Sequence, residues 1–271
     1  MTDNKWMAAL KGLIIGSTMI VPGVSGGSMA MILGIYDRLI SAMSSFGKNI
    51  RVNLWFLIVF VLSAGAGIFL FSTPLTWLME HHKMYTMYFF LGAVFGSIPL
   101  IEKKSQIQKV TWDVFLYMLI GAGIILLFSK IPEDTFKISA NGGIGNQLML
   151  FIAGILSASA LVLPGISVSH FLLILGLYDE LLYAIQTMNL GFLISLGIGV
   201  FFGILLLTRL LDYVMTIYPK QSYLTILGFI FASLGEIFPG IPSGFDILGC
   251  IGLAIAGFLA VYQMTKQEIE N

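Results

Sequence analysis

The chain reads Val21-Pro22-Gly23-Val24-Ser25-Gly26-Gly27-Ser28 inside a hydrophobic stretch that would otherwise form a continuous membrane helix. Proline removes a backbone donor and glycine weakens a helix, so this stretch predicts a break with unpaired N–H and C=O groups on both sides. Lipid tolerates such a break only where the backbone is buried in protein or lines a cavity. A helix that restarts after the break directs free amides and a positive dipole end into the gap. The stretch is therefore a candidate binding site.

The same pattern occurs twice along the chain. The segments Pro22-Gly23-Val24-Ser25 and Leu33-Gly34-Ile35-Tyr36-Asp37 return, without a gap, as Pro164-Gly165-Ile166-Ser167 and Leu175-Gly176-Leu177-Tyr178-Asp179, at an offset of 142 residues. Chance similarity between two apolar segments would not preserve Pro-Gly, Ser and Gly-x-Tyr-Asp together. The chain therefore contains an internal duplication.

Composition places the chain in a membrane and excludes several classes of site. Of its 271 residues, 58% are hydrophobic and only 10% are charged, and the mean hydropathy is +0.95, far from a soluble domain. The net charge of zero and the lack of a basic run predict no nucleic-acid partner. The lone Cys250 and the spacing of the three histidines predict neither a disulfide nor a metal site, and we expect no cofactor.

Hydropathy divides the chain into two similar units. We predict a first repeat at 1–129, a polar linker at 130–147 and a second repeat at 148–271. Each repeat would hold a broken re-entrant helical hairpin and three transmembrane helices, at 54–71, 85–101 and 114–128 and then at 190–211, 223–238 and 247–262. A second offset of 136 residues aligns Asn53-Leu54 with Asn189-Leu190. Residues 73–83, with Trp77, are predicted to form an interfacial turn.

Each hairpin enters and leaves on one side, and three spans are an odd number, so the second repeat should enter from the opposite face. The predicted fold is therefore an all-α polytopic membrane protein with two inverted-topology repeats. A chain that starts inside places nine basic residues at the cytoplasmic face and three outside, which predicts cytoplasmic termini. The inner set is Lys5, Lys11, Lys48, Arg51, Lys103, Lys104, Lys109, Lys220 and Lys266; the outer set is Lys83, Lys130 and Lys137. Inverted repeats with broken helices are typical of secondary transporters and of some anion channels.

The candidate binding residues at the two breaks carry hydroxyls, an imidazole or free amides. They are Ser25, Gly26, Gly27 and Ser28 on one side and Ser167, Ser169 and His170 on the other, with Pro22, Gly23, Pro164 and Gly165 producing the breaks. Hydroxyls and helix amides suit the oxygens of a phosphate. The alternative for either break alone is a proline kink whose small residues allow tight helix packing. Two breaks in matching positions make that alternative the weaker one.

Two arginines lie in apolar segments. Arg38 follows the first break, and its planar guanidinium suits a phosphate; the alternatives are snorkelling or a local pair with Asp37. Arg209 is a second candidate ligand, or else an interfacial residue one turn from Asp212.

Two other titratable residues are candidates for coupling transport to an ion. His170 has the chemistry to donate to a phosphate or to carry a proton, but a hydrogen bond to the backbone would explain it equally well. Glu236 is either a proton or cation site or an interfacial residue.

Longer motifs resemble a known family. They are Pro22-Gly23-Val24-Ser25-Gly26-Gly27-Ser28-Met29-Ala30 with Leu33-Gly34-Ile35-Tyr36-Asp37-Arg38-Leu39-Ile40, Pro164-Gly165-Ile166-Ser167 with Leu175-Gly176-Leu177-Tyr178, and Phe89-Phe90-Leu91-Gly92 with Gly96-Ser97-Ile98-Pro99. Over nearly its whole length the chain resembles the bacterial PopT-type polyprenyl-phosphate transporters.

The resemblance implies a flippase in the bacterial cytoplasmic membrane, surrounded by membrane lipids, and not an enzyme. It would return undecaprenyl phosphate from the outer to the inner leaflet, which recycles the lipid carrier of cell-wall peptidoglycan synthesis. The phosphate would be held at the helix breaks and by Arg38, with alternating access. A small-anion channel or exchanger is the alternative from another class. A membrane phosphatase is third, since no nucleophile with a positioned base is evident.

Overall fold

A computed structural model describes residues 5–21, 23–107, 109, 111–135 and 144–270. Pro22 and the part of the predicted linker at 136–143 lie outside the described residues, and of Glu236 only the backbone is described. The described residues form α-helices and no strand, which confirms the all-α class. The multi-pass character is confirmed as well, because several of these helices are long and apolar enough to cross a membrane.

The two halves of the chain contain helices in the same order. The first half holds α1 (Lys5–Thr18), α2 (Gly26–Ile32), α3 (Tyr36–Ser44), α4 (Ile50–His81), α5 (Lys83–Lys104) and α6 (Trp112–Phe128). The second half holds α7 (Ile144–Val162), α8 (Val168–Ile174), α9 (Tyr178–Gln186), α10 (Leu190–Ile217), α11 (Pro219–Ile237) and α12 (Asp246–Glu270). In each half, helices of 7 and then 9 residues follow the break.

Five helices in the described part of the chain have the length and hydropathy of membrane spans: α4, α5, α7, α10 and α12. The bent pair α8–α9 raises the number to six if it counts as one span. The predicted spans at 114–128 and 223–238 coincide with α6 and α11, of which α6 is apolar but only 17 residues long. Large apolar side chains such as Leu62 and Phe69 are 69% and 81% exposed, as expected for a surface that faces lipid.

The helices pack in four close pairs, α1 with α4, α7 with α10, α5 with α12 and α6 with α11. Glycine lies at each crossing. A Cβ added at Gly12 would lie 2.9 Å from the carbonyl oxygen of Phe60, and a Cβ at Gly154 would lie 2.3 Å from that of Leu196. Such approaches are typical of membrane helices that associate through small residues, because helices in lipid gain little from burying apolar side chains.

Ion pairs collect at one end of the helices, which we call the lysine-paired end. Lys11 binds Glu268 there, and Nζ of Lys104 lies 2.5 Å from Asp37 and 3.9 Å from Glu268, so that α1, α3, α5 and α12 are joined. Lys220 at the start of α11 lies 2.5 Å from Asp113 at the start of α6. At the other end, the hydroxyl of Tyr85 donates to Asp246 at 2.6 Å and joins α5 to α12.

The predicted interfacial turn at 73–83 is wrong. α4 continues to His81 as a helix of 32 residues with Pro74 inside it, and the chain reverses only at His82. The rings of Trp77 and His81, one helical turn apart, stack with centroids 5.0 Å apart. Proline removes one helical hydrogen bond, and membrane helices tolerate that loss because local adjustments satisfy the freed carbonyl.

The segment after each break does not continue as one helix. α2 ends at Ile32, and Gly34 follows two residues later with a φ of +74°. The N–H of Gly34 donates to the carbonyl of Met31 at 3.0 Å, and the N–H of Ile35 donates to that of Ala30 at 2.9 Å. These two bonds form a Schellman motif, which needs a residue with positive φ. The same pattern surrounds Gly176, and there α9 turns 104° away from α8. Each Leu-Gly-x-Tyr-Asp sequence is therefore a corner.

Candidate functional site

The two helix breaks meet in the structure. The N–H of Gly165 is shared between the hydroxyl oxygens of Ser28, at 2.8 Å, and Ser25, at 3.1 Å. Ser25 is also the N-cap of α2, because its hydroxyl accepts from the N–H of Ser28 at 3.0 Å. Two serines of the first break therefore satisfy a backbone amide of the second.

Further contacts organise the second break. The hydroxyls of Ser167 and Ser169 lie 2.9 Å apart, and either can donate to the other. The hydroxyl of Tyr36 donates to the carbonyl oxygen of Val162 at 2.9 Å. That carbonyl belongs to the last turn of α7, where no helical N–H follows to bind it. The corner that begins α3 therefore closes the end of the helix before the second break.

The breaks line one cavity of about 580 Å³. Its polar wall contains Ser25, Gly26 and Gly27 from the first break and Ser167 and Ser169 from the second. The remaining walls are mostly apolar and come from α1, the turn after it, α3, α4, α7 and α10. They include the side chains of Ile15, Met19, Met43, Phe60, Val61, Leu161 and Ile204.

The cavity reaches the lipid-facing surface of the protein. Val61 and Leu161, on its wall, are 63% and 40% exposed, so the cavity opens sideways between α4 and α7. A cavity with hydroxyls at one pole and hydrocarbon at the other suits an amphipathic ligand whose polar head lies at the breaks and whose apolar chain leaves through the side.

Ser28 has a structural position beside this cavity. Its side chain is 5% exposed and faces a small neighbouring space rather than the large cavity. Its hydroxyl oxygen already accepts from Gly165 and from Ser25. Among the predicted binding residues, Ser28 therefore holds the two breaks together.

Arg38 lies outside the cavity wall, on the side of α3 that faces α4. Its guanidinium donates to the side-chain oxygen of Asn53 at 3.1 Å, and its Cζ lies 4.4 Å from the centroid of the Phe56 ring. Asn53 in turn donates to the carbonyl of Ser45 at 3.1 Å. Asp37, the local partner considered for Arg38, lies 2.5 Å from Lys104. The structure thus gives Arg38 a place at the α3–α4 contact.

Arg209 lies in a different cavity, near the end of α10. Asp212, one turn later, lines the same cavity and accepts a hydrogen bond from the hydroxyl of Ser44 at 2.7 Å. Arg209 and the helix breaks are therefore separated in this structure, while Arg209 and Asp212 are together.

His170 packs away from the cavity, with its ring edge-on to Phe128 at a centroid distance of 6.3 Å. Its Nε2 is buried, and no group among the described residues forms a hydrogen bond with it. Glu236 belongs to α11, but its side chain lies outside the described residues.

Two tyrosines were missed as site residues. Tyr36 and Tyr178 both line the cavity at the start of α3 and α9. The signal that identifies them was present, since both tyrosines follow the repeated Leu-Gly pair at the same distance from the break.

Known proteins resemble this chain along its length. The model of the undecaprenyl phosphate translocase-like family matches residues 15–243. The polyprenyl-phosphate transporter of Staphylococcus aureus is 31% identical over 288 residues, which cover all of both chains. The protein of the same name from Vibrio cholerae is 27% identical over 256 residues, covering 88% of this chain and 79% of the relative. No solved structure matches this chain.

Proposed function

Because this chain belongs to the undecaprenyl phosphate translocase-like family, we propose that it transports a polyprenyl phosphate, undecaprenyl phosphate above all, across the membrane. The name shared by its two relatives supports this substrate class. One observation carries the proposal: the cavity between the breaks joins a hydroxyl-lined pole to an apolar side that opens toward lipid. An ion confined to the hydrocarbon of a bilayer would lose its hydration, at a cost on the order of tens of kcal/mol.

Ser25, Ser167 and Ser169 bind the phosphate oxygens in this proposal, together with the backbone at Gly26 and Gly27. These groups replace water around the phosphate while it crosses the membrane plane. The prenyl chain is far longer than the cavity, so it stays in the bilayer and leaves through the opening beside Val61. Ser28 holds the breaks together through Gly165.

The two halves act as inverted repeats, at 1–129 and 148–271 around the linker 130–147. Matching helix contacts support this arrangement. Gly12 approaches Phe60, and the residues 142 and 136 positions later, Gly154 and Leu196, approach each other in the same way. Likewise Gly92 approaches Ala254, while the equivalent positions in exchanged halves, Gly228 and Met118, also meet. The same glycine-to-carbonyl contact between helices therefore occurs at matching positions of the two halves.

Contacts with α3 support the opposite orientation of the two repeats. Asn53 at the start of α4 binds Arg38, whereas Asp212 near the end of α10 binds Ser44. The start of α4 and the end of its counterpart α10 therefore lie at the same end of the molecule. Repeats that run in opposite directions supply two related conformations, in which re-entrant hairpins expose the phosphate first to one leaflet and then to the other.

The lysine-paired end faces the cytoplasm in this proposal, in the cytoplasmic membrane of a bacterium, with both termini inside. The excess of lysine and arginine at that end supports the orientation. The cavity extends from the breaks along α3 as far as Met43, so this conformation opens toward the inner leaflet. Transport from the outer to the inner leaflet would return the carrier lipid to cell-wall synthesis.

Reconstitution in liposomes tests the proposal through the transbilayer movement of labelled undecaprenyl phosphate. Ser25→Ala/Ser167→Ala removes one hydroxyl from each break. We expect lipid movement to be at least about tenfold slower, because each substitution removes a hydrogen bond to a charged group. The matched control is Ser72→Ala/Ser129→Ala, since within the described part of the chain each of these hydroxyls bonds only to the carbonyl oxygen three residues earlier.

If the control variant moved the lipid as slowly, the assignment of Ser25 and Ser167 to the phosphate site would be wrong. If the lipid did not move in any gradient but chloride did, the chain would be a small-anion channel or exchanger instead.

A further inference from the structure

A second cavity lies near the end of α10, at the lysine-paired end, with a volume of about 350 Å³. The end of α3 and the turn after it contribute Ser44, Ser45 and Lys48 to its wall, and the last turns of α10 contribute Arg209, Asp212 and Thr216. We call it the basic cavity. Both cationic side chains are exposed, so an ion reaches them from the membrane surface.

The charges of the basic cavity favour an anion. Two cations and one carboxylate give a formal excess of one positive charge. Neither Lys48 nor Arg209 forms an ion pair with any residue that the structure describes, in contrast to Lys104 and Lys220. The one carboxylate is already engaged, because Asp212 accepts from the hydroxyl of Ser44 at 2.7 Å. A planar guanidinium and a compact ammonium together match the several oxygens of a phosphate.

The basic cavity follows the break cavity along the same two helices. On α3, Met43 lines the break cavity and the next residue, Ser44, lines the basic cavity. On α10, Ile204 lines the first and Arg209 the second, with the buried Thr208 between them. The two cavities are therefore neighbours along both α3 and α10.

We propose that the basic cavity is a second binding site for a phosphate group, separate from the breaks, where a lipid phosphate waits at the membrane surface. This inference rests on the proposed transport function.

The basic cavity has no charged counterpart in the other half of the chain. The positions equivalent to Arg209 and Asp212 by the 136-residue offset are Thr73 and Thr76. Lys48 lies between α3 and Asn53, and the shorter matching stretch between α9 and Asn189 holds only Thr187 and Met188. The two ends of the path thus differ in charge. A binding site at one end cannot change the final distribution of a lipid between leaflets, but it raises the rate of phosphate capture from its own leaflet.

Binding stoichiometry in nanodiscs of neutral lipid tests the proposal, with farnesyl phosphate and inorganic phosphate as separate ligands. We expect two sites per chain for farnesyl phosphate. Lys48→Gln/Arg209→Gln should lose one of them, with its Kd raised about tenfold or more. The control, Lys83→Gln/Lys130→Gln, removes two exposed cations from the opposite end and should keep both sites. Unchanged melting temperatures show that the variants are folded.

Each outcome has a definite meaning. Loss of one farnesyl phosphate site alone assigns the basic cavity to a lipid phosphate, whereas parallel loss of inorganic phosphate shows that the phosphate group suffices. The inference is overturned if the wild type binds one farnesyl phosphate and Lys48→Gln/Arg209→Gln does not change that binding. It is also overturned if the control variant loses a site as well. Transport of labelled undecaprenyl phosphate is measured on the same preparations, so a wild-type protein that does not transport overturns the proposed function independently of the stoichiometry.

Discussion

At the residue scale, the meeting of the two breaks depends on one amide hydrogen with two acceptors. Ser25 and Ser28 both accept from Gly165, and the two hydroxyls also bond to each other at 2.9 Å. Substitution of one serine leaves the amide with the other acceptor, whereas a buried amide with none would cost about 1–3 kcal/mol. The first break can therefore give Ser25 to a ligand while Ser28 keeps the breaks in contact.

Arg38 was predicted to bind phosphate, but it lies at the α3–α4 contact. Its variants must therefore distinguish a ligand of the phosphate from a residue that holds α3 against α4. We expect Arg38→Ala and Asn53→Ala each to lower the melting temperature, and their double variant to lower it by less than the sum, because both remove the same 3.1 Å hydrogen bond. Coupling of about 0.5–3 kcal/mol is usual for residues in direct contact. Thermal unfolding in detergent measures it.

Farnesyl phosphate binding by the same variants completes this experiment. Equal loss of affinity in Arg38→Ala and Asn53→Ala is the expected result for an arginine that positions α3. If Arg38→Ala alone lost affinity, at the melting temperature of the wild type, the guanidinium would have to reach the phosphate directly.

At the scale of elements, the corners after each break decide where the site residues lie. Gly34 has a φ of +74°, and a Cβ there would lie 2.6 Å from Oε2 of Glu268, which pairs with Lys11. Gly34→Ala should therefore lower the free energy of unfolding by about 1–2 kcal/mol from backbone strain, with a further loss from the displaced carboxylate. Thermal unfolding in detergent checks this.

The control for the corner is Gly197→Ala, in α10, where a Cβ meets nothing within 4 Å. Alanine favours a helix by about 1 kcal/mol over glycine, so Gly197→Ala should keep or raise the melting temperature. A Gly34→Ala protein as stable as Gly197→Ala would show that the corner does not depend on glycine.

The elements also show what the sequence could and could not predict. The breaks and their partner segments were predictable, because Pro-Gly and Ser in two matching places leave few alternatives. The corners were missed because hydropathy continues through Gly34, and only the dihedral preference of glycine ends the helix there. The turn predicted at 73–83 from Trp77 was wrong, because an aromatic residue typical of the membrane interface does not by itself end a helix. Arg209, predicted either as a ligand or as an interfacial residue one turn from Asp212, lies with Asp212 near the end of α10.

At the scale of the whole molecule, each end has an exposed aromatic residue, so cysteine labelling can distinguish the two ends. Trp112, beside the pair of Asp113 and Lys220, is 89% exposed at the lysine-paired end. Phe245, beside Asp246, is 92% exposed at the opposite end. Cys250, the one cysteine of the chain, is buried, so Cys250→Ala supplies a background without thiols for a labelling experiment.

In that background we expect a membrane-impermeant maleimide to label Phe245→Cys in intact cells and Trp112→Cys only after permeabilisation, because the positive-inside bias places the paired lysines in the cytoplasm. Labelling of Trp112→Cys alone in intact cells would reverse the orientation. The basic cavity at Arg209 and Lys48 would then face the outer leaflet, where it would bind a lipid phosphate before transport rather than after it. The direction of labelling therefore fixes the step of the transport cycle to which the second phosphate site belongs.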